Sequence, residues 1–301
     1  FSNHVLDATQ VYFKPLTEEQ LEGLPTSSIE LLKQYGQQRD LDQAVATLDM
    51  PSYIAIMTYA KDRAVREALY HAYTTRASEL GRHPEFDNTP VMQEILALRQ
   101  EMAQLLGFQN YAELSLASKM APSVKSVQDF LIDLAQHARL PAEHDMTELT
   151  NIAKQDGIDD LQPWDTGYYS EKLKVAKFNL SQEDLKPYFP APKVIQGLFA
   201  VVQRLYGVEI IEREAPVWHP DARYFELQDQ GIVIGGFYFD LYARSGKRGG
   251  AWMSGFRSRV QTANGLQKPI CYMVCNFTPP IGDQPALLTH DEVITLFHEF
   301  G

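Results

Sequence analysis

Apolar residues recur at helical spacing through the first 207 residues of the chain. In one segment Val91, Ile95, Leu98, Met102 and Leu105 step along one face, which predicts a helix that packs on other helices as ordinary core. Capping residues and prolines mark where further predicted helices begin, and glycines mark where they end. These predicted helices follow a capping box at 17–20 and cover residues 27–38, 62–80 with Gly81 as the stop, 90–106, a pair within 124–156 broken near Pro141, 168–177, 181–185, and 193–206 stopped by Gly207.

The pattern changes near residue 208, where short β-branched and aromatic runs replace the helical spacing. Residues 208–211, 223–227 and 232–242 are predicted strands, and the turn 229–231 joins the last two as a hairpin. A loop rich in glycine and arginine follows at 245–250, and 269–277 is a further strand. The fold class expected is therefore mainly α with a small mixed β-sheet, an α+β chain.

A last helix is predicted to begin at Thr289, because Thr289 and Glu292 have the spacing of a capping box. Its apolar positions recur at i, i+3, i+4 and i+7, which predicts a buried stripe. That stripe consists of Val293, Leu296, Phe297 and Phe300. His298 and Glu299 fall at the edge of the stripe, where a polar side chain can be held rigidly and still face a cleft.

His298 and Glu299 match the first half of the zinc-peptidase motif H-E-x-x-H. On a helix, histidines at i and i+4 can reach one zinc ion, and the glutamate can take a proton from a zinc-bound water. His298 would be the first ligand and Glu299 the general base, but the second histidine would stand at position 302 and the chain stops at 301. The alternative is a surface histidine beside a solvated glutamate.

Several runs of residues together resemble the thimet-oligopeptidase family of zinc metallopeptidases. These runs are LLTHDEVITLFHEFG at 287–301, GFYFDLYAR at 236–244, KRGGAW at 247–252, LQPWD at 161–165, LDMPSY at 48–53 and FSNHVLDAT at 1–9. The resemblance implies part of a mainly helical, two-lobed zincin of the neurolysin and thimet-oligopeptidase type. It also implies an endopeptidase that hydrolyses short unstructured peptides in a narrow channel, with one Zn²⁺ per intact protein.

The same resemblance implies a domain organisation and a chain that is cut at both ends. Residues 1–50 would be the end of an N-terminal helical region, and residues 51–301 the N-terminal portion of the catalytic domain. The second histidine, the third zinc ligand and the groups that stabilise the transition state would lie beyond Gly301. We expect residues 1–301 alone to retain no zinc, and the alternative for this polypeptide is an inactive peptide-binding or scaffold fragment.

The strand before the last helix and the glycine loop suggest where a peptide could bind. A peptide can pair with a sheet edge, and Gly249 and Gly250 would let the backbone approach a ligand closely. The candidate substrate-binding residues are Gly249, Gly250, Cys275 and Asn276. A plain surface loop is the alternative for the two glycines.

The charge and the cysteines of the chain limit the classes of partner and the cellular compartment that we expect. The chain has 27 basic and 39 acidic residues, a net charge of −12, which argues against nucleic acid and anionic membranes. Cys271 and Cys275 lie about 13 Å apart if both are on one strand, too far for a disulfide. Free thiols suit a reducing cytoplasm, although one of them could be an oxidation-sensitive thiol. We expect a cytoplasmic, monomeric protein whose partners are short peptides.

Overall fold

A computed structural model describes residues 1–282 and 284–301. In chain order the helices are α1 (Ser2–Val11), α2 (Thr26–Gln37), α3 (Met50–Tyr59), α4 (Arg63–Thr74), α5 (Thr89–Leu105), α6 (Tyr111–Leu116), α7 (Val124–Gln155), α8 (Thr166–Phe178), α9 (Gln182–Leu185), α10 (Ala191–Tyr206) and α11 (His290–Phe300). The strands are β1 (Phe13–Pro15), β2 (Val45–Thr47), β3 (Glu209–Arg213), β4 (Arg223–Asp229), β5 (Ile232–Tyr242), β6 (Trp252–Arg257), β7 (Val260–Thr262), β8 (Gly265–Gln267) and β9 (Ile270–Phe277). The predicted α+β composition is confirmed.

The chain divides into two compact units. The first comprises Phe1–Tyr12 and Arg63–Lys177, and the second comprises Phe13–Asp62 and Phe178–Gly301. The predicted division at residues 50 and 51 concerns the organisation of a whole protein, and it stays a prediction.

The first unit is helical and is held partly by a buried ion pair. Asp165 is fully buried and accepts hydrogen bonds from Arg63 Nη2 at 2.7 Å and from Arg66 Nη2 at 2.8 Å. These bonds join α4 to the short 3₁₀ turn Pro163–Asp165. Nearby, Leu149 and Ala153 of α7 pack with Tyr169 of α8 in a small apolar cluster.

The second unit is built on a five-stranded mixed sheet. Its strand order is β3-β4-β5-β9-β6, in which only the β5–β9 pair is parallel. The predicted hairpin is confirmed: Gln230 (φ 49°) and Gly231 (φ 78°) form the two-residue turn between β4 and β5. Positive φ at both residues is typical of a type I′ turn. One sheet face forms the core with α10 and α11.

Three predicted helical features differ from the structure. The two helices predicted within 124–156 form one continuous helix, α7. Pro141 removes only one backbone hydrogen bond, and the carbonyl that loses its partner lies in an exposed part of the helix, where water can bond to it. The helix predicted to reach residue 80 ends at Thr74. Hydroxyl groups of Thr74 and Thr75 bond to the carbonyls of Tyr70 and His71, an alternative that competes with continued helix.

The apolar stripe of α5 is also different from the prediction. Leu98, Met102 and Leu105 are 56%, 46% and 79% exposed, whereas Ala103 is the buried residue of this helix. Spacing therefore predicted the helix correctly but not its burial. Within the described residues, no helix is both long enough and apolar enough to cross a membrane.

Candidate active site

Helix α11 is attached to the sheet through Glu292. The predicted capping box is present, with Thr289 Oγ1 accepting from the Glu292 backbone N–H at 3.1 Å and Glu292 Oε2 accepting from the Thr289 N–H at 2.8 Å. Glu292 Oε1 also accepts from the backbone N–H of Thr278 at 2.8 Å, directly after β9. Burial raises the pKa of Glu292 against the opposing effect of these hydrogen bonds. One carboxylate thus fixes the start of the helix against the end of a strand.

His298 and Glu299 lie in the last turn of α11 and differ in exposure. His298 is exposed, Glu299 is half-buried, and Leu296 is fully buried in the core. The prediction that Phe297 belongs to the buried stripe was wrong, because its side chain is 37% exposed. A rotation of about 100° per residue explains this pattern, since Phe297 and His298 turn away from the sheet that Leu296 faces.

Glu299 lies within electrostatic range of Cys275 on β9. Burial and the negative charge of Glu299 raise the pKa of Cys275 to about 12, and the positive charge of Lys247 opposes them. The Cys275 side chain belongs to the core and has no exposed surface. Its thiol is therefore protonated at neutral pH, and only its backbone could contact a bound peptide. Cys271 and Cys275 are both free thiols, as predicted.

A buried charge cluster anchors the glycine loop that precedes β6. Lys247 Nζ donates to the Asp240 carboxylate at 2.9 Å and to the Tyr242 carbonyl at 2.7 Å, and its side chain is 5% exposed. Arg244 donates to both oxygens of Asp240, at 2.6 and 2.8 Å. Burial raises the pKa of Asp240, but hydrogen bonds from Arg244, Lys247 and Trp218 hold it well below its usual range.

Asn276 holds the other end of the same loop. Its side-chain amide donates to the Arg248 carbonyl at 2.9 Å and to the Gly250 carbonyl at 2.7 Å. Gly250 has φ +97°, a conformation that favours glycine, and the positions of a Cβ at Gly249 and Gly250 meet no atom within 4 Å. Three of the four predicted substrate-binding residues, Gly249, Gly250 and Asn276, are therefore brought together around open space.

Strand β6 follows this loop and forms one edge of the sheet. It pairs with β9 on one side and has no partner strand on the other among residues 1–282 and 284–301, and five of its six residues are exposed. Helix α11 contacts both β9 and β6. The free backbone groups of β6 can therefore pair with an added strand at this edge of the sheet.

Catalytic zinc generally uses three protein ligands, and no group of three or more His, Cys, Asp and Glu side chains suited to a metal occurs among residues 1–282 and 284–301. His290, two turns before His298, stacks on Phe189 with ring centroids 6.0 Å apart. In the zinc site predicted from the sequence, His298 would supply one imidazole.

Sequence reasoning missed the roles of Asp240 and Lys247 beside the candidate site, and the second role of Glu292. Glu292 was found as a capping residue, but its bond to Thr278 spans 14 residues. Asp240 and Arg244 have a helical spacing within a predicted strand and loop, so that spacing did not indicate an ion pair. Only the parallel pairing of β5 with β9 places Asp240 beside Val274 and near Asn276.

Comparison with known proteins identifies the family. The sequence profile of peptidase family M3 matches residues 56–301. The chain belongs to peptidase family M3. Oligopeptidase A of Escherichia coli (strain K12) is 52% identical to this M3 chain over 307 residues, which cover 100% of the chain and 45% of that protein.

Two more distant relatives of this M3 chain match over nearly the same part of it. Dipeptidyl carboxypeptidase of Escherichia coli (strain K12) is 35% identical across 94% of the chain and 41% of that protein. Saccharolysin of Saccharomyces cerevisiae (strain ATCC 204508 / S288c) is 29% identical across 95% of the chain and 42% of that protein. The chain thus spans less than half the length of the relatives it matches.

Proposed function

We propose that this M3 chain is part of a zinc-dependent endopeptidase, a metallo-oligopeptidase that hydrolyses short unstructured peptides. The observation that carries the proposal is the pair His298 and Glu299 on a helix fixed to the sheet by Glu292, in a chain that matches family M3 over residues 56–301. The similarity to oligopeptidase A over the whole chain supports the same activity.

In this proposal His298 is one zinc ligand and Glu299 is the general base. When bound, zinc polarises a peptide carbonyl and lowers the pKa of water. Glu299 accepts the proton of the attacking water and then delivers it to the leaving amine. The remaining ligands would come from the part of the relatives' length that this chain does not span.

The substrate would bind as an added strand along β6. Its free edge offers backbone hydrogen bonds, and the loop held by Asn276 supports the start of that edge. Gly249 and Gly250 leave room for a peptide backbone, whereas Cys275 could contribute only through its main chain. Backbone pairing of this kind selects extended peptides, which supports an unstructured substrate.

The organisation proposed for the whole protein follows the family resemblance. Residues 1–50 would end an N-terminal helical region, and residues 51–301 would begin the catalytic domain of a neurolysin-like zincin. We propose a cytoplasmic monomer with no nucleic-acid partner, in keeping with the net charge of −12 and the free thiols.

The alternative for the 301-residue polypeptide is an inactive fragment that only binds peptides or serves as a scaffold. The lack of a three-ligand group in the described residues favours this for the isolated chain. The endopeptidase proposal and the fragment proposal are compatible if the longer protein is active and the 301-residue chain is not.

The test compares the 301-residue chain with a longer form of the same protein that matches the relatives over their full length. Both are assayed with a quenched fluorescent peptide, and their metal content is measured after dialysis. We expect cleavage only by the longer protein, loss of cleavage with a chelator, and recovery with added Zn²⁺. Glu299→Gln in the longer protein should abolish turnover while leaving zinc content unchanged, because Glu299 is not a ligand.

A matched control is Glu212→Gln, a carboxylate on the far strand β3, which should leave turnover unchanged. Full turnover in Glu299→Gln, or chelator-resistant cleavage, would contradict the proposed mechanism. Stoichiometric zinc retained by the 301-residue chain would contradict the assignment of further ligands outside it.

A further inference from the structure

The outer face of the sheet, opposite α10 and α11, carries a polar cavity of about 210 Å³. It lies where β5 and β9 begin and β6 ends, and its lining includes Tyr224, Glu226, Gly235, Gly236, Arg257 and Lys268. A volume of this size holds a small ion with several waters, since each water occupies about 30 Å³.

Two glycines of β5 create the floor of the cavity. A Cβ on Gly236 would lie 2.2 Å from Tyr224 Oη, so the tyrosine hydroxyl occupies the space that a side chain would fill. A Cβ on Gly235 would lie 3.3 Å from Cγ of Pro269. The Tyr224 hydroxyl can approach the strand backbone only because residue 236 has no side chain.

Three side chains that line the cavity carry donor groups for which the described residues supply no acceptor. Arg257 donates through Nε to the Lys268 carbonyl at 3.0 Å, which orients the guanidinium and leaves its two Nη groups available. No described residue accepts from Lys268 Nζ or from Tyr224 Oη. Burial and the charge of Glu226 raise the pKa of Tyr224, so this hydroxyl keeps its proton at neutral pH.

The charge balance at the cavity is opposite to that of the chain. Among the described residues that line the cavity, Glu226 is the one carboxylate, and its Oε2 already accepts from Arg213 at 3.3 Å and from Gln228 at 3.2 Å. Arg257 and Lys268 have no such carboxylate, although the chain has a net charge of −12. Two unpaired cations and a hydroxyl donor that face one cavity are suited to an anion.

We propose that this cavity binds a small oxyanion, a phosphate or carboxylate group, through Arg257, Lys268 and Tyr224. The guanidinium would bind it in a bidentate manner, Lys268 would add a point charge, and the Tyr224 hydroxyl would donate the remaining hydrogen bond. Helix α11 lies on the other face of the sheet, so this site does not depend on the proposed peptidase activity.

The test is isothermal titration of the 301-residue chain at low ionic strength with inorganic phosphate, and separately with acetate. We expect saturable binding of one phosphate per chain, weakened about tenfold or more by Arg257→Gln and by Lys268→Gln, because each removes a charge-assisted hydrogen bond. Tyr224→Phe removes only the hydroxyl and should weaken binding by a smaller factor. Competition by acetate would extend the ligand class to carboxylates, whereas its failure would restrict the site to phosphate.

Arg259→Gln is the matched control, because Arg259 is exposed, lies two residues from Arg257 and does not line the cavity. It should bind phosphate as the unaltered chain does. The proposal is overturned if no saturable binding occurs, if Arg257→Gln and Lys268→Gln leave the affinity unchanged, or if Arg259→Gln weakens binding equally. Circular dichroism of each variant confirms that the fold is retained.

Discussion

Replacement of Asp240 by asparagine should destabilise the sheet unit more than any exposed carboxylate replacement. The Asp240 side chain is 5% exposed and accepts from Arg244, Lys247 and Trp218 at 2.6 to 2.9 Å. The Arg244 side chain is 23% exposed and can turn to water, whereas the Lys247 side chain is 5% exposed and cannot. The loss of stability therefore comes mainly from the Lys247 ammonium group, which stays buried without its carboxylate partner.

The size of the effect follows from these contacts. Removing one partner of a buried ion pair costs about 3 to 5 kcal/mol. Asparagine keeps one carbonyl oxygen but turns an amide N–H₂ toward donors that bonded to Oδ2, namely Arg244 Nη2 and Trp218 Nε1. We expect a loss of about 3 kcal/mol for Asp240→Asn and about 5 kcal/mol for Asp240→Ala.

The assay is urea unfolding of the 301-residue chain, followed by the fluorescence of its three tryptophans, among them Trp218, at pH 7 and at a series of lower pH values. Because the folded pKa of Asp240 is depressed, its contribution is complete above the unfolded pKa of about 3.9 and is lost as the pH falls toward the folded pKa. The difference between the unaltered chain and Asp240→Asn should therefore shrink below about pH 4.

The control is Asp42→Asn, an exposed carboxylate in the same unit, which should change stability by less than about 0.5 kcal/mol. A loss under about 1 kcal/mol for Asp240→Asn would refute the claim that Lys247 depends on this carboxylate. A difference that stays constant down to pH 3 would refute the link to ionisation of Asp240.

Three other substitutions test features described above. Pro141→Ala should raise the midpoint of thermal unfolding, because α7 continues through Pro141 and proline costs up to about 3 kcal/mol inside a helix; an unchanged or lower midpoint would mean that the helix is broken there. Glu292→Ala should cost about 1 to 3 kcal/mol in urea unfolding because the Thr278 and Thr289 N–H groups lose their acceptor, while Glu292→Gln keeps an acceptor oxygen and should cost less; equal losses would contradict this. Asn276→Asp puts an oxygen against the Arg248 and Gly250 carbonyls, so peptide KM in the longer protein should rise with zinc content unchanged, and an unaltered KM would separate the loop from substrate binding.

Local sequence signals predicted those elements whose cause is local. The hairpin at Gln230 and Gly231 and the cap at Thr289 are stabilised by residues within four positions of each other, so their patterns were sufficient. The apolar stripe of α5 was a helix signal of the same kind, but it could not indicate burial. Burial depends on what packs against a face, and nothing in the spacing of Leu98 and Met102 states that.

The candidate site likewise combines residues that a local pattern indicated with residues that only contacts between distant segments bring to it. His298 and Glu299 are adjacent in the sequence and needed only a helix to be placed in one turn, and their role in a zinc site stays a prediction. Asp240, Lys247 and Asn276 contribute through the loop before β6, and their bonds join β5, that loop and β9. Such contacts follow from strand pairing and not from spacing.

The sequence by itself determined the family, the helix that carries His298 and Glu299, and the mainly helical composition with a mixed sheet. Each of these rests on residue identity or on a period of a few residues. Only the tertiary structure decided that β6 forms the sheet edge, that Glu292 ties α11 to the end of β9, and that Tyr224, Arg257 and Lys268 share one cavity. The physical reason is that hydrogen bonds and charge contacts between distant segments depend on chain topology, which the parallel β5–β9 pairing sets across more than 30 residues.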